Sequence, residues 1–148
     1  PIEDFFIRYG QQDLHPGEFI ESIEIPLSEK NLKCYKISKR FDQDISAICG
    51  CFNITLEKNE VKTARIAFGG MAEIPKRATS VENFLLGSTW SEETISSAMA
   101  LFDKDFNPIS DLRATSEYRK ITAKNLLKKY YIETNSVEKN TNVLKIMS

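Results

Sequence analysis

The stretch ISAICGCFNITLE, residues 45–57, decides the fold class. Ile48, Gly50, Phe52, Ile54 and Leu56 occupy one parity, while Cys49, Cys51, Asn53 and Thr55 occupy the other. Successive side chains of a strand point to opposite faces, so this spacing predicts a long strand from Ile45 to Glu57 with one apolar face. The short polar Lys58-Asn59-Glu60 follows, and Ala64, Ile66 and Phe68 align again between Val61 and Phe68, ahead of Gly69-Gly70. Two alternating runs joined by a few polar residues predict an antiparallel hairpin.

Upstream, Lys33 to Lys39 alternates loosely through Tyr35 and Ile37 and predicts a further strand. From Phe19 to Leu27, Phe19, Ile23 and Ile25 share one parity with Glu21 intruding, and Pro26 closes a fourth predicted strand. The first 17 residues carry Phe5, Phe6 and Tyr9 without a period and end at Pro16-Gly17, as an extended lead-in would. Downstream the period changes to about 3.6. Thr79 or Ser80 is expected to cap a short helix carrying Val81, Phe84 and Leu85, with Gly87 past its end. Ser91 is expected to cap a second, with Ile95, Ala98, Met99 and Phe102 on one face. A third runs from Ser116 to Glu133, with Ala123, Leu126, Leu127 and Tyr130 inward and Arg119, Lys120, Lys124 and Lys128 elsewhere.

Strands first and helices second predict an α+β domain: an antiparallel sheet of about four strands followed by three helices packed on one face. The 148 residues suffice for one core. Residues 1–133 are read as that domain and 134–148 as a polar tail. With 20 Lys and Arg against 21 Asp and Glu, the net charge of −1 offers no global field for nucleic acid. No apolar run approaches the roughly 20 residues of a membrane span, and the basic-then-apolar order of a signal peptide is missing. The expected setting is cytoplasmic.

Cys34, Cys49 and Cys51 are read as buried reduced thiols, with a metal or redox role as the alternative. Zinc would ask for more ligands, and the single histidine, His15, lies in a Leu-His-Pro-Gly turn.

Four stretches, in order, resemble the C-terminal domain of the flavin-binding region of xanthine dehydrogenase and carbon monoxide dehydrogenase-type molybdenum hydroxylases. They are Leu14-His15-Pro16-Gly17-Glu18 with Ile23-Glu24-Ile25-Pro26; Tyr35-Lys36 with Arg40 and Asp44-Ile45-Ser46, similar to F-K-x-x-x-R-x-x-x-D-I-A/S; Ala64 to Ala72 with Pro75 and Arg77-Ala78; and Asp111 to Arg119, close to D-x-R-x-S-x-x-Y-R. The phrases around Lys36 and Phe68 are most similar to xanthine dehydrogenase, and the tail fits the small subunit of a bacterial split enzyme.

The resemblance implies an oxidoreductase fragment of purine catabolism that forms one wall of an FAD cleft and contacts the flavin as electrons pass from iron–sulfur clusters to NAD. It implies partners: the N-terminal FAD-binding subdomain, whose glycine-rich turns hold the FAD pyrophosphate, an iron–sulfur domain, and a molybdenum subunit with molybdopterin. This chain lacks such turns, so on its own it is expected to fold colourless and inactive. Gly69-Gly70, its only double glycine, reads as a bulge or sharp turn.

Three cofactor-binding residues are carried over from the resemblance; none is assigned to catalysis or metal. Lys36 matches the family lysine that approaches the flavin, against the plainer reading of a solvated strand lysine. Arg40 matches the arginine beside the ring, where its fork suits a carboxylate or a phosphate of NAD; a surface ion pair to Asp42 or Asp44 is equally open. Asp44 matches the family aspartate, tuning the field or orienting Arg40, or else capping its loop. Phe41 and Gln43 depart from the charged residues common there in animal enzymes. Asp111 and Arg113 are expected to order the turn before the last helix, with Ser116 or Thr115 as its cap. Two other classes compete: a non-catalytic interaction module docking other enzyme domains, and an oligonucleotide-binding domain, against which the interleaved acids and bases speak.

Overall fold

The computed structural model describes residues 1–26, 31–135 and 141. In chain order its elements are α1 (Ile2–Phe5), β1 (Phe6–Arg8), β2 (Gln11–Gln12), β3 (Lys33–Ile37), β4 (Ile48–Glu57), β5 (Glu60–Gly69) and β6 (Lys76–Arg77), then α2 (Thr79–Leu85), α3 (Glu92–Ala100), α4 (Phe102–Asp105) and α5 (Ser116–Asn135). The expected α+β architecture is what forms: an antiparallel sheet ordered β3-β4-β5-β6, followed by helices.

The hairpin β4–β5 turns through Lys58 and Asn59, both at positive φ (51° and 66°), a geometry whose twist matches that of the strands it joins. Its register sets Phe52 opposite Ile66 and Gly50 opposite Phe68. Gly50 is required there, because a Cβ would lie 2.6 Å from the Phe68 ring. The apolar parity is buried: Ile48, Phe52, Ile54, Val61, Ala64, Ile66 and Phe68 meet Ala123, Leu126, Leu127 and Tyr130 of α5. Phe52 stacks on Tyr130 at 5.4 Å and meets Phe68 edge-on at 5.6 Å. Full burial of such a ring is worth roughly 1.5–3 kcal/mol.

The fourth strand is not the expected one. Residues 19–26 form no strand, and Phe19, Ile23 and Ile25 are exposed; Leu27 lies outside the described residues. Alternation creates a face but does not supply an edge to pair with. The edge of β5 is taken instead by β6, whose two residues are too few to show a period. The lead-in is also more ordered than expected, with one helical turn and a small β1–β2 hairpin.

Helix ends differ in instructive ways. The first residue of α2 is Thr79, so its cap position falls on Ala78, which has no side-chain acceptor. The free N–H groups of Ser80 and Val81 donate instead to the buried carboxylate of Asp105 in α4 (2.9 and 3.2 Å). Phe84, expected inward, is exposed. Ser91 does cap α3, accepting from the Thr94 N–H. Thr115 rather than Ser116 accepts at the start of α5, from the Tyr118 N–H at 3.1 Å. That helix runs through Thr134 and Asn135; of the rest of the polar tail, only Thr141 is described.

Arg119 is the clearest departure. It was expected off the core face, yet it is 5% exposed. It donates to the Gly70 carbonyl and to Asp111 Oδ1 (2.7 Å), tying the end of β5 to the turn before α5. Gly70 has φ 83°, and a Cβ there would lie 2.6 Å from the Ala47 carbonyl oxygen, so the double glycine is indeed a sharp turn.

Candidate functional site

Strand β3 sends its side chains two ways. Lys33, Tyr35 and Ile37 face the helices, where Lys33 Nζ and the Tyr35 hydroxyl both donate to Glu133 Oε2 (2.9 and 2.8 Å). Burial works against ionisation of Glu133, but donors from Lys129, Thr141, Lys33 and Tyr35 outweigh it and hold its pKa at about 2. Tyr35 is pushed up, first by burial and then by the Glu133 carboxylate. Tyr35 and Ile37 therefore pack against the core as expected.

Cys34 and Lys36 point the other way, opposite Cys51 and Cys49 respectively. The thiols on this face are not buried as expected: Cys34 is exposed and Cys49 and Cys51 are half-buried. Parity is the reason, since the residues across from the apolar set turn away from α5. All three are free thiols. Partial burial and then the hydrogen bond to Cys34 push Cys51 up to about 12. Among the described residues no group of three His, Cys, Asp or Glu side chains could hold a metal ion.

Lys36 is exposed on this open face, with no hydrogen bond or ion pair to another described residue. Its surroundings are small. Cys49, its cross-strand neighbour, sits opposite Gly69, and Cys51 sits opposite Ala67. The nearest atom to a Cβ placed on Gly69 would be Cys49 Cβ, 4.0 Å away. Lys36 therefore stands beside small side chains.

The loop from Ser38 to Ser46 brings Arg40 and Asp44 together. Asp44 Oδ2 accepts the Arg40 N–H (3.0 Å), its Oδ1 accepts the Ile45 N–H (3.0 Å), and the Arg40 guanidinium lies 3.5 Å from Oδ1. The backbone bond from Arg40 chiefly holds the Asp44 carboxyl below its usual range. Asp44 thus caps its loop through two backbone N–H groups and forms the surface ion pair that was the plainer reading of Arg40. Lys36 does not share this arrangement.

Arg40 and Asp44 open onto a cleft of about 380 Å³, walled on its other side by Leu112 and Arg113. Lys39 Nζ, which also lines it, donates to the Leu112 carbonyl (2.7 Å) and joins the two walls. Arg113 was expected to order the turn. Its backbone N–H does so by donating to Asp111 Oδ1 (2.8 Å), while its guanidinium lies 3.9 Å from Asp111 Oδ2. The guanidinium that orders the turn is Arg119. Its spacing from Ala123 (i+4), Leu126 (i+7) and Tyr130 (i+11) was the signal, masked by its charge. Lys39 and Arg113 carried no sequence signal for the cleft.

Residues 33–134 match the family model of the CO dehydrogenase flavoprotein C-terminal domain. The chain belongs to that family. Three of the four resembling stretches lie inside the matched span, and the Leu14–Pro26 stretch lies ahead of it. The domain is 36% identical over 112 residues to a xanthine dehydrogenase of Emericella nidulans, covering 72% of this chain and 8% of that protein. It is 31% identical over 119 residues to the xanthine dehydrogenase of Dictyostelium discoideum, covering 71% and 9%. Against the glyceraldehyde dehydrogenase medium chain of Sulfolobus acidocaldarius it is 29% identical over 130 residues, covering 88% and 46%. The flavoprotein domain therefore spans less than half the length of these relatives.

Solved structures share the fold. Quinoline 2-oxidoreductase from Pseudomonas putida 86 superposes with a TM-score of 0.76 at 24% identity, covering 88% of this chain and 46% of that one. Carbon monoxide dehydrogenase from Hydrogenophaga pseudoflava gives 0.78 at 22%, covering 87% and 45%.

Proposed function

We propose that this flavoprotein domain forms one wall of an FAD cleft in an intact xanthine dehydrogenase-type molybdenum hydroxylase. In that reading Lys36 is presented to the isoalloxazine ring, and Arg40 and Asp44 lie toward the NAD side. The observation that carries it is the placement of Lys36: an exposed cation without a partner among the described residues, on the face opposite Tyr35 and Ile37, across from Cys49, which in turn sits opposite Gly69. The chain's residues fit a planar ring there, and the polypeptide preceding it is taken to grip the FAD diphosphate.

Bound FAD supplies the reversible two-electron carrier between iron–sulfur clusters and NAD. The chain's own contribution is electrostatic. Reduction places negative charge along one edge of the ring, and an ammonium held nearby by a paired strand stabilises that state without reorganising. Asp44 keeps Arg40 in place through the backbone N–H and the guanidinium, so the Arg40 fork is oriented before a ligand arrives. The partners in this reading are the preceding FAD-binding subdomain, an iron–sulfur domain and the molybdenum subunit.

A docking role for the same chain is favoured by the lead-in, where Phe19, Ile20, Ile23 and Ile25 are all exposed. Docking and flavin contact are compatible, and one variant separates a passive wall from an active one. In the intact enzyme, Lys36→Ala is expected to make the FAD couple harder to reduce by on the order of 1 kcal/mol, about 20 mV for two electrons, and to slow NAD reduction. Unchanged FAD affinity, potential and rate would leave the chain a docking module only.

A further inference from the structure

Cys34, Cys49 and Cys51 share one face of the sheet, and neither the core nor the proposed flavin contact asks for a thiol there. Their placements differ. Cys34 lies on β3, which pairs on one side only among the described residues, and it is exposed. Cys51 lies directly across from it on β4 and is half-buried. Directly opposed residues of antiparallel strands have Cα atoms roughly 4.5–5.5 Å apart, inside the roughly 4.4–6.8 Å that disulfides span. The register puts both side chains on the same face, and the two thiols already share a hydrogen bond. A bond between their sulfurs therefore needs no change of register.

Cys49 serves as the internal comparison. Across the strands it faces Lys36 on one side and Gly69 on the other, so no thiol opposes it. From Cys34 it is a diagonal neighbour, roughly 7–8 Å away. From Cys51 it is two positions along the same strand, roughly 6.6 Å at a rise of about 3.3 Å per residue, at the outer limit of the disulfide range and with the two side chains parallel. Cys34 also acts on Cys51 more strongly than Cys49 does.

We propose that Cys34 and Cys51 form a reversible cross-strand disulfide when the protein meets hydrogen peroxide, and that this modification pins the strand carrying Lys36. The Cys34 thiolate attacks one peroxide oxygen, the O–O bond breaks, and the departing hydroxide takes up the Cys34 proton as water, leaving a sulfenic acid on Cys34. The Cys51 sulfur then attacks the Cys34 sulfur, the S–O bond breaks, and a second water leaves with the Cys51 proton. Two thiols lose two electrons and the peroxide gains them. The order follows exposure: the accessible thiol meets the oxidant and the half-buried one resolves it. A disulfide open to solvent on one side belongs to the readily reduced kind, so a dithiol reverses it. The ring it closes contains the loop of Arg40 and Asp44. The inference does not depend on the flavin contact, and its test leaves Lys36 in place.

The intact enzyme is treated with hydrogen peroxide, its remaining thiols are blocked, and it is digested with trypsin. Residues 34–36 should then be found joined to residues 41–58, with the loss of two hydrogens, and dithiothreitol should separate them. The link should persist in Cys49→Ser and vanish in Cys34→Ser and Cys51→Ala. Amide hydrogen exchange across Lys33–Ile37 should slow about tenfold on oxidation and recover on reduction. Cys34→Ser, a change at an exposed position that leaves folding intact, should show no slowing. A link to Cys49, a link between two chains, or Cys34 driven to sulfinic acid while Cys51 stays free overturns the proposal. A Cys34–Cys51 link that leaves exchange unchanged overturns the pinning of β3.

Discussion

Replacing Arg119 by Leu tests whether one buried guanidinium organises the ground beneath the cleft. Its loss removes two charge-assisted hydrogen bonds, to the Gly70 carbonyl and to Asp111 Oδ1, each worth about 1.5–3 kcal/mol. Two effects reduce the sum. Arg119 Nε is buried without a partner among the described residues, so leucine relieves a desolvation penalty of about 1–3 kcal/mol. Asp111 keeps the N–H groups of Arg113 and Ala114 and its side chain is 25% exposed, so the roughly 3–5 kcal/mol of a stranded buried charge is not reached. The net expectation is a destabilisation of about 2 kcal/mol, which lowers the urea midpoint by about 1 M for a slope near 2 kcal/mol/M. A double-mutant cycle with Asp111→Asn should give a coupling of about 1 kcal/mol. A midpoint shift below about 0.3 M, or a cycle that closes to zero, refutes the clamp.

Gly70→Ala should destabilise the fold by about 2 kcal/mol or more, since φ 83° and a Cβ 2.6 Å from the Ala47 carbonyl both oppose it. Gly69→Ala, whose Cβ meets only Cys49 at 4.0 Å, should stay within about 0.5 kcal/mol; thermal unfolding of the pair checks this, and equal effects would contradict it. Glu133 has a folded pKa of about 2 against an ordinary 4.5, so its stabilisation is fully present above the unfolded value and is lost as the pH falls through 2. Glu133→Gln should cost about 1–2 kcal/mol at neutral pH, Lys33 being partly solvated, and should flatten the acid limb of a stability–pH profile; superimposable limbs would show that the carboxylate contributes nothing.

Where periodicity carried the information, sequence and structure coincide. The parity of Ile48 to Ile54 and of Ala64 to Phe68, and the spacing of Ala123, Leu126, Leu127 and Tyr130, are the core of the molecule. The same alternation misled at Phe19 to Leu27, because a face needs an edge to pair with, and that edge was taken by two residues without a pattern. Buried polar groups were harder to read. Asp105 capping α2 and Arg119 bridging Gly70 and Asp111 join segments distant in sequence, and a charge offers no local sign that its partner lies elsewhere.

The site divides along the same line. The family motif around Lys36, Arg40 and Asp44 could be read along the chain, and parity alone put Lys36 on the face opposite Tyr35 and Ile37. Only tertiary structure left the thiols of that face partly solvated and drew Arg113 to the cleft of Arg40 beside the Lys39–Leu112 bond. Periodicity follows from backbone geometry within a single element and is written in consecutive residues. Which faces are covered, and which charges meet, depends on how separate elements pack, and no single segment contains that information.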